Sequence, residues 1–386
     1  MKRIHSIDFT RGLVMIIMAL DHVRDMIHVD SINQSPTNLT TTTPVLFFTR
    51  WITYLCAPTF VFLAGTSAYL SFQRNNNVAD SSRFLLKRGL YLVLLEFVVV
   101  NTGLFFDLGF HMFLFEVIAT IGCGFIILSL LLTLSTQTIG IIGLIIIFGH
   151  NLAPLIPLAE TSLFKKILMP FFAPAAFPFS NRVFVMGYPP IPWLGIMLTG
   201  FATGRFFQLP ESKRRGLFIK IGLSAIVLFV IVRFTNIYGD AFPWSPQKSP
   251  LLTVLSFMNV TKYPPSLVFC LITLGIMCWS LALSEGAKGK LFDVISVYGK
   301  VPLFYFLIHF FLIHFILLGI LFCQGFHWSQ LDFASGTFGR PKGVESGLPL
   351  SAVYLIWIAV VVFLYKPCQW FGRYKAAHPH WWLKYI

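Results

Sequence analysis

Long apolar stretches, separated by short polar segments, run along the whole chain. A helix needs about 17–25 mostly apolar residues to cross the hydrocarbon of a bilayer. Stretches of this kind lie at 9–28, 44–72, 86–106, 111–133, 136–153, 189–209, 216–235, 264–284, 298–322 and 347–366. The pattern predicts an all-α polytopic membrane protein with about ten transmembrane helices. Only a short polar turn at 135–137 separates the fourth and fifth spans, and part of 157–190 is a candidate for re-entering the bilayer.

The first apolar run has the beginning of a signal peptide but not its end. Lys2 and Arg3 precede the run 13–20, which is followed by the polar pentapeptide 21–25 rather than by small residues. Since a cleavage site requires small residues, the sequence predicts a first transmembrane helix that is retained.

The composition agrees with a chain whose solvent is lipid. Of its 386 residues 56% are hydrophobic, 16% are aromatic and only 11% are charged, whereas about a quarter of a soluble domain is charged. The six cysteines form no C-x-x-C pair, which argues against a zinc site or a disulfide framework. Soluble enzymes and secreted disulfide scaffolds are thereby excluded. Without an internal repeat or a polar domain, we expect residues 1–386 to form a single transmembrane domain.

The distribution of basic residues predicts the orientation. The formal net charge is +14, and most of the Lys and Arg residues fall in the segments 73–88, 205–220 and 285–300 and in the two tails. By the positive-inside rule these segments and both termini face the cytoplasm. The charge is therefore an orientation signal, and the expected partner is the lipid bilayer rather than nucleic acid.

The first predicted helix carries most of the candidate chemistry, because ionisable residues within a span are costly and usually functional. At about 100° per residue, Arg11, His22 and Asp8 lie at about 80°, 100° and 140° from Asp21, and Asp25 lies at about 40°. Arg11 and His22 thus share one face, separated by roughly 16 Å of helix rise. This face offers a cation near the cytoplasmic end and a titratable imidazole deeper in the membrane.

Carboxylates and cations surround His22 along the same helix. Asp25 is one turn beyond His22, within reach to orient its ring and stabilise its protonated form. His28 and Arg24 lie on the other flank of the helix. Arg24, Asp25 and His28 can equally be interfacial residues that extend to water.

Other spans add polar residues that can face the same cavity. Arg50 opens the second span from the outside and is expected to pair with Asp21 or Asp25, and Glu116 is a further carboxylate in a span. His309 and His314 are about 140° apart on the ninth span, so at most one of them faces the cavity of His22.

A basic mouth is predicted at the cytoplasmic end. Arg205 ends the sixth span and Lys300 opens the ninth, and together with Arg11 they can bind a polyphosphate; they can equally be topology signals. The sequence contains no Walker loop or dinucleotide fingerprint, so it gives no support to ATP-driven transport or nicotinamide chemistry.

The order of several short motifs resembles the bacterial relatives of heparan-alpha-glucosaminide N-acetyltransferase, a group of multi-spanning membrane proteins. The matching segments are 6–12 with 21–25, 49–53 with 56–65, 192–195 with 200–205, and 298–309. The spacing Arg11-x10-His22 is also similar to that of acyltransferase family 3, in which the histidine is taken as the catalytic base. The heparan enzyme has an asparagine near the position of His22 and relies on a later histidine, for which His28 is the nearest candidate here.

The resemblance implies transmembrane acyl transfer in a bacterial cytoplasmic (inner) membrane. Acetyl-CoA is the expected co-substrate, with its phosphates near Arg11, Arg205 and Lys300, and no metal is expected. A sugar hydroxyl or amine arriving from the outer face would lose its proton to His22, with His28 as the alternative base. Asp21 or Asp25 would stabilise the imidazolium, and Arg24 and Arg50 are the candidates for binding the acceptor.

Two other functions stay open at this point. The cluster of Asp21, His22 and Asp25 also suits a proton-coupled secondary transporter, although the paired broken helices typical of such proteins are not evident. The third hypothesis is a non-enzymatic subunit of an assembly. The identity of the acceptor, the acyl group, N- or O-transfer and a homodimeric assembly are left open by the sequence.

Overall fold

The structure, a computed structural model, describes residues 4–156 and 162–386 and is built almost entirely of helices. Lys2 and Arg3, and the part of the predicted re-entrant segment at 157–161, lie outside the described residues. The helices are α1 (His5–Ile27), α2 (Pro44–Ile52), α3 (Cys56–Asn75), α4 (Val78–Leu95), α5 (Asn101–Phe105), α6 (Val117–Leu131), α7 (Thr136–Gly149), α8 (Leu163–Leu168), α9 (Pro190–Thr203), α10 (Glu211–Thr235), α11 (Pro250–Met258), α12 (Leu267–Ser284), α13 (Lys290–Lys300), α14 (Pro302–Cys323) and α15 (Leu350–Ala377).

Several of these helices can cross a bilayer. Within the described ranges, six helical segments are long and apolar enough to do so: Pro44–Asn75, Thr136–Leu155, Glu211–Thr235, Leu267–Ser284, Pro302–Cys323 and Leu350–Ala377. The chain is therefore a helical integral membrane protein, as predicted. The number of ten spans and the side on which the termini lie stay predictions.

A small sheet departs from the all-α prediction. Strand β1 (Met112–Phe115) pairs in parallel with β3 (Arg182–Met186), which pairs antiparallel with β2 (Ala175–Phe179). The predicted span 111–133 is consequently helical only from the start of α6. The side chain of Asn101 explains the strand: it accepts a hydrogen bond from Leu114 N (2.7 Å) and donates one to Leu114 O (2.9 Å), so it replaces a neighbouring strand.

The predicted cytoplasmic loop 73–88 is mostly helical. Helix α3 extends to Asn75 and α4 begins at Val78, and the Asn77 side chain accepts a hydrogen bond from Asp80 N at 3.1 Å. Asparagine at this position satisfies a backbone N–H that the first helical turn leaves free. The basic residues that follow therefore project from an ordered helix.

Helix α1 lies at the centre of the bundle and packs against α3, α12, α13, α14 and α15. Its closest neighbour is α13, and the approach requires glycine on both helices. A Cβ at Gly299 would lie 1.8 Å from Asp8 O, and a Cβ at Gly12 would lie 2.0 Å from Ile295 O. The two backbones are therefore in contact, which fixes the position of α1.

We expect Gly299→Ala to destabilise the protein by about 1–3 kcal/mol, because the new methyl group cannot fit without moving one helix. The measurement is thermal unfolding in detergent. Gly319→Ala is the matched control, since Gly319 is also helical and a Cβ there meets nothing within 4 Å. Equal melting temperatures for the two variants would contradict the close contact.

Candidate active site

Two adjoining cavities lie along α1. The first, here called the His22 cavity, has a volume of about 300 Å³. Its polar lining consists of Asp21, His22, Asp25, Arg50, Thr53, Glu116, Tyr188, Lys262 and Tyr263. The cavity therefore combines one imidazole with three carboxylates and two cations.

The second cavity, here called the Arg11 cavity, has a volume of about 290 Å³ and is basic. Its polar lining consists of Arg11, Ser67, Arg88, Lys300 and Lys375. Arg11 Nη2 donates to Ser67 Oγ at 2.9 Å. The Arg88 guanidinium lies 5.4 Å from the centre of the Phe125 ring, and its Nε atom is buried without a hydrogen-bond partner among the described residues.

Phe60, Val117 and Phe306 line both cavities and so mark the boundary between them. Because α1 is continuous from His5 to Ile27, it carries Arg11 into one cavity and His22 into the other. The helical spacing predicted this common face, and the two residues do line adjoining spaces.

The partner of His22 is a histidine on α14. His22 Nδ1 lies 2.6 Å from His309 Nε2, and the His22 ring stacks on Phe310 with 4.4 Å between the ring centroids. On its other side, His309 Nδ1 is 2.5 Å from Phe306 O and 3.2 Å from Tyr305 O.

These contacts assign the tautomers of both rings. Carbonyl oxygens only accept, so His309 Nδ1 carries hydrogen and His309 Nε2 accepts. His22 Nδ1 is then the donor, and the lone pair of neutral His22 is on Nε2. No described residue hydrogen-bonds to this Nε2 atom, and His22 lines the cavity. The arrangement provides a base whose free nitrogen is available to a ligand.

An ion network connects α1 to α2 beside His22. Arg50 Nη1 lies 2.5 Å from Asp21 Oδ2, and Arg24 Nη2 lies 2.8 Å from Asp21 Oδ1 and 2.7 Å from Asp25 Oδ1. Arg50 thus pairs with Asp21, one of its two predicted partners. Each of these charges has a partner of opposite sign, as buried charges require.

The prediction that Asp25 orients the His22 ring is not what the structure shows. Asp25 is hydrogen-bonded to Arg24, and the contact to the ring comes from His309. The helical spacing of Asp25 permits either arrangement, and the adjacent guanidinium takes the carboxylate because the charge-assisted bond is the stronger one.

Three of the predicted site residues line neither cavity. Arg24 is buried behind Asp21, and His28 ends α1, where its carbonyl accepts from Arg340 Nη1 at 2.8 Å. Arg205 is exposed and lies 5.2 Å from the Phe206 ring centroid. Arg205 lies beyond the end of α9, in a 3₁₀ segment at Gly204–Gln208, and outside the cavity that Arg11 and Lys300 line.

Of the two histidines on α14, only His309 contacts His22, in line with their predicted angular separation, and neither of them lines the cavity. His314 is on the far side, where its Nδ1 lies 3.1 Å from Leu104 O and its ring stacks on Phe106. The role of His309 itself could not be read from the sequence, because its partner is 287 positions away.

Lys262 is the charged residue of the His22 cavity that sequence analysis missed. It lies in the loop between α11 and α12, is buried, and has the rings of Tyr54, Tyr188 and Tyr263 within 5.1–6.0 Å of its ammonium. Burial acts to lower the pKa of Lys262, but the neighbouring Tyr263 and Asp21 outweigh it and hold that pKa above its ordinary value. The group is therefore a cation at neutral pH.

Among the described residues, no group of three or more His, Cys, Asp or Glu side chains is placed to hold a metal ion. The family comparison is more informative. A family model described as heparan-alpha-glucosaminide N-acetyltransferase, catalytic, matches residues 3–244, which is well over half of the chain. The match includes α1, α2 and the strand β1, and therefore much of both cavities. No curated protein matches the chain.

Proposed function

Because the chain belongs to the family of heparan-alpha-glucosaminide N-acetyltransferase catalytic domains, we propose that it transfers an acetyl group from cytoplasmic acetyl-CoA to a sugar or glycan on the outer face of the membrane. The family supports a membrane acetyltransferase. The assignment of the base, the donor and the acceptor rests on the His22 imidazole. Its unprotonated Nε2 faces a cavity that adjoins a second, basic cavity. Membership of this family does not favour the alternative hypothesis of a proton-coupled transporter.

The Arg11 cavity suits the donor. A CoA molecule presents phosphates at one end and a thioester at the other, so it needs cations some distance from the base. Arg11, Arg88 and Lys300 supply those cations, and the unpartnered Nε of Arg88 is a donor that a phosphate oxygen can satisfy. The exposed Arg205 is left out of this group.

The distance between the two ends also suits the donor. Arg11 and His22 are separated by roughly 16 Å of helix rise, which an extended pantetheine arm can span. The boundary formed by Phe60, Val117 and Phe306 is apolar, as is most of that arm. The thioester would then lie in the His22 cavity, where the acceptor enters from the other side.

Acetyl transfer requires one proton to move from the acceptor to the departing CoA. His22 Nε2 accepts it from the hydroxyl or amine of the acceptor and later gives it to the sulfur of the departing CoA. His309 holds His22 in the tautomer with a free Nε2, and Asp21, the preceding residue on α1, supplies a negative charge for the imidazolium. In the serine protease triad an aspartate does both, whereas here the two tasks are divided between His309 and Asp21.

The orientation follows from the charge distribution along the sequence. We place the Arg11 cavity and both termini in the cytoplasm and the His22 cavity towards the outside, in a bacterial inner membrane. The segments rich in Lys and Arg support this assignment.

Release of CoA thiol from acetyl-CoA by the purified protein, with glucosamine as the probe acceptor, tests the proposal. We expect the wild type to turn over, and Val117→Phe to lower kcat at least tenfold, because the larger ring narrows the boundary between the cavities. Binding of CoA itself, measured by calorimetry, controls for misfolding of the variant. Turnover by Val117→Phe at the wild-type rate would contradict a path through this boundary.

A further inference from the structure

We propose that Lys262 stabilises the oxyanion formed on the acetyl carbonyl during transfer. The inference rests on the proposed function and adds to it a catalytic residue outside the matched range 3–244. Lys262 lines the His22 cavity, so its ammonium shares the space in which the thioester and the acceptor would meet.

The two cations of this cavity are not equivalent. Arg50 is in an ion pair with Asp21, which neutralises its charge locally. In residues 4–156 and 162–386, by contrast, no carboxylate lies within 4 Å of the Lys262 ammonium. Its closest contacts are tyrosine rings, which accept a cation without neutralising it, and Asp21 of the same cavity lies beyond ion-pair distance. Lys262 therefore retains a net charge for a transient anion.

Hydrogen bonds to Asp240 hold the loop that contains Lys262 in place. Asp240 accepts hydrogen bonds from Thr261 N (3.0 Å), Thr261 Oγ1 (2.5 Å) and Ser266 Oγ (2.9 Å). These contacts fix the backbone on both sides of Lys262. A donor on a backbone that is fixed before the reaction needs less reorganisation as charge develops, which makes it more effective in catalysis.

The acidic side chains of the cavity favour an oxyanion that exists only during transfer over an acceptor with a permanent negative charge. Asp25 is paired with Arg24, so Glu116 is the acidic side chain of this space without an ion-pair partner among the described residues. An acceptor with its own carboxylate or phosphate would be unfavourable beside it. A neutral acceptor with an oxyanion that exists only during transfer avoids this cost. We therefore assign Lys262 to the reaction and not to recognition of an anionic acceptor.

The acetyl transfer needs only the groups already named. His22 Nε2 takes the proton of the acceptor, whose oxygen or nitrogen bonds to the acetyl carbon while the carbonyl π pair moves to oxygen, next to Lys262. The pair then returns, the carbon–sulfur bond breaks, and the thiolate of CoA takes the proton from His22. No oxidant, metal or further reactant is needed.

The test compares Lys262→Met and Lys262→Arg in the full-length detergent-purified protein, with acetyl-CoA as donor and either glucosamine or water as acceptor. We expect Lys262→Met to lower kcat by about 10²–10³-fold, the usual effect of removing an oxyanion donor. Lys262→Arg keeps the charge and is expected to stay within about tenfold of the wild type. Both variants should bind CoA as the wild type does, because the phosphates lie in the other cavity. Lys248→Met, an exposed lysine outside both cavities, is the matched control.

Two results would overturn the inference while leaving the proposed function intact. One is an unchanged kcat for Lys262→Met. The other is a raised KM for glucosamine with an unchanged kcat, which would make Lys262 an acceptor-binding residue. A wild type that releases no CoA thiol with either acceptor overturns the proposed function, and this inference with it.

Discussion

Replacing His22 with alanine is expected to lower acetyl transfer by about 10²–10⁴-fold, the range that a positioned general base contributes. The reason is that His22 Nε2 is the unprotonated nitrogen in the His22 cavity, and its tautomer is fixed by His309. CoA binding should be retained, because the cationic lining lies in the other cavity. The measurement is kcat for CoA thiol release beside a calorimetric titration with CoA.

His28→Ala decides between the two candidate bases. His28 directly follows the same helix but lines neither cavity, so this variant is expected to keep most of the transfer activity. Full activity in His22→Ala together with loss in His28→Ala would show that the base has been assigned to the wrong histidine.

Replacing His309 with phenylalanine is expected to have the second largest effect. The change removes the acceptor for His22 Nδ1–H, so the proton is free to move to Nε2 and block the base. In the serine protease triad the corresponding tautomer error costs about 10⁴-fold in kcat, and we take this value as the upper bound here. A buried donor without a partner also costs about 1–3 kcal/mol of stability.

His309→Gln separates the tautomer effect from simple disruption of the core. The carboxamide oxygen of glutamine can accept from His22 Nδ1, so this variant should recover part of the kcat that His309→Phe loses. The acetyl-CoA KM should change little in either variant, because His309 lies beside His22 and not in the Arg11 cavity. Equal kcat values for both variants would show that His309 has a packing role only.

The part of the site that the sequence predicts is the part carried by a single helix. Arg11 and His22 are found in adjoining cavities because eleven residues make almost three whole turns, and this relation needs no knowledge of the other helices. The same reasoning predicts that at most one of His309 and His314 faces His22, and His309 is the one that contacts it. The helical periodicity thus predicts which residues share a face of one helix.

The parts that the sequence does not predict depend on which distant segments meet. The contact of His22 with His309 joins positions 287 apart, and Lys262 enters from a loop without a periodic pattern. Arg205 was expected beside Arg11 and Lys300, but it lies in a 3₁₀ segment beyond the end of α9 and outside their cavity. Strand β1 was missed because its apolar residues continue those of α6, and neither its pairing with the distant β3 nor the contacts of Asn101 with the Leu114 backbone are visible in that pattern.

Binding of acetyl-CoA to the detergent-purified protein, measured by calorimetry, tests the central claim most directly. The wild type is to be compared with Arg11→Ala and Arg88→Gln, and with Arg205→Ala as the control from outside the cavity. We expect micromolar binding to the wild type and to Arg205→Ala, and at least tenfold weaker binding to the other two variants, since a charge-assisted bond contributes about 1.5–3 kcal/mol. Absence of binding to the wild type, or equal binding to all four proteins, would contradict the assignment of the Arg11 cavity to the acyl donor.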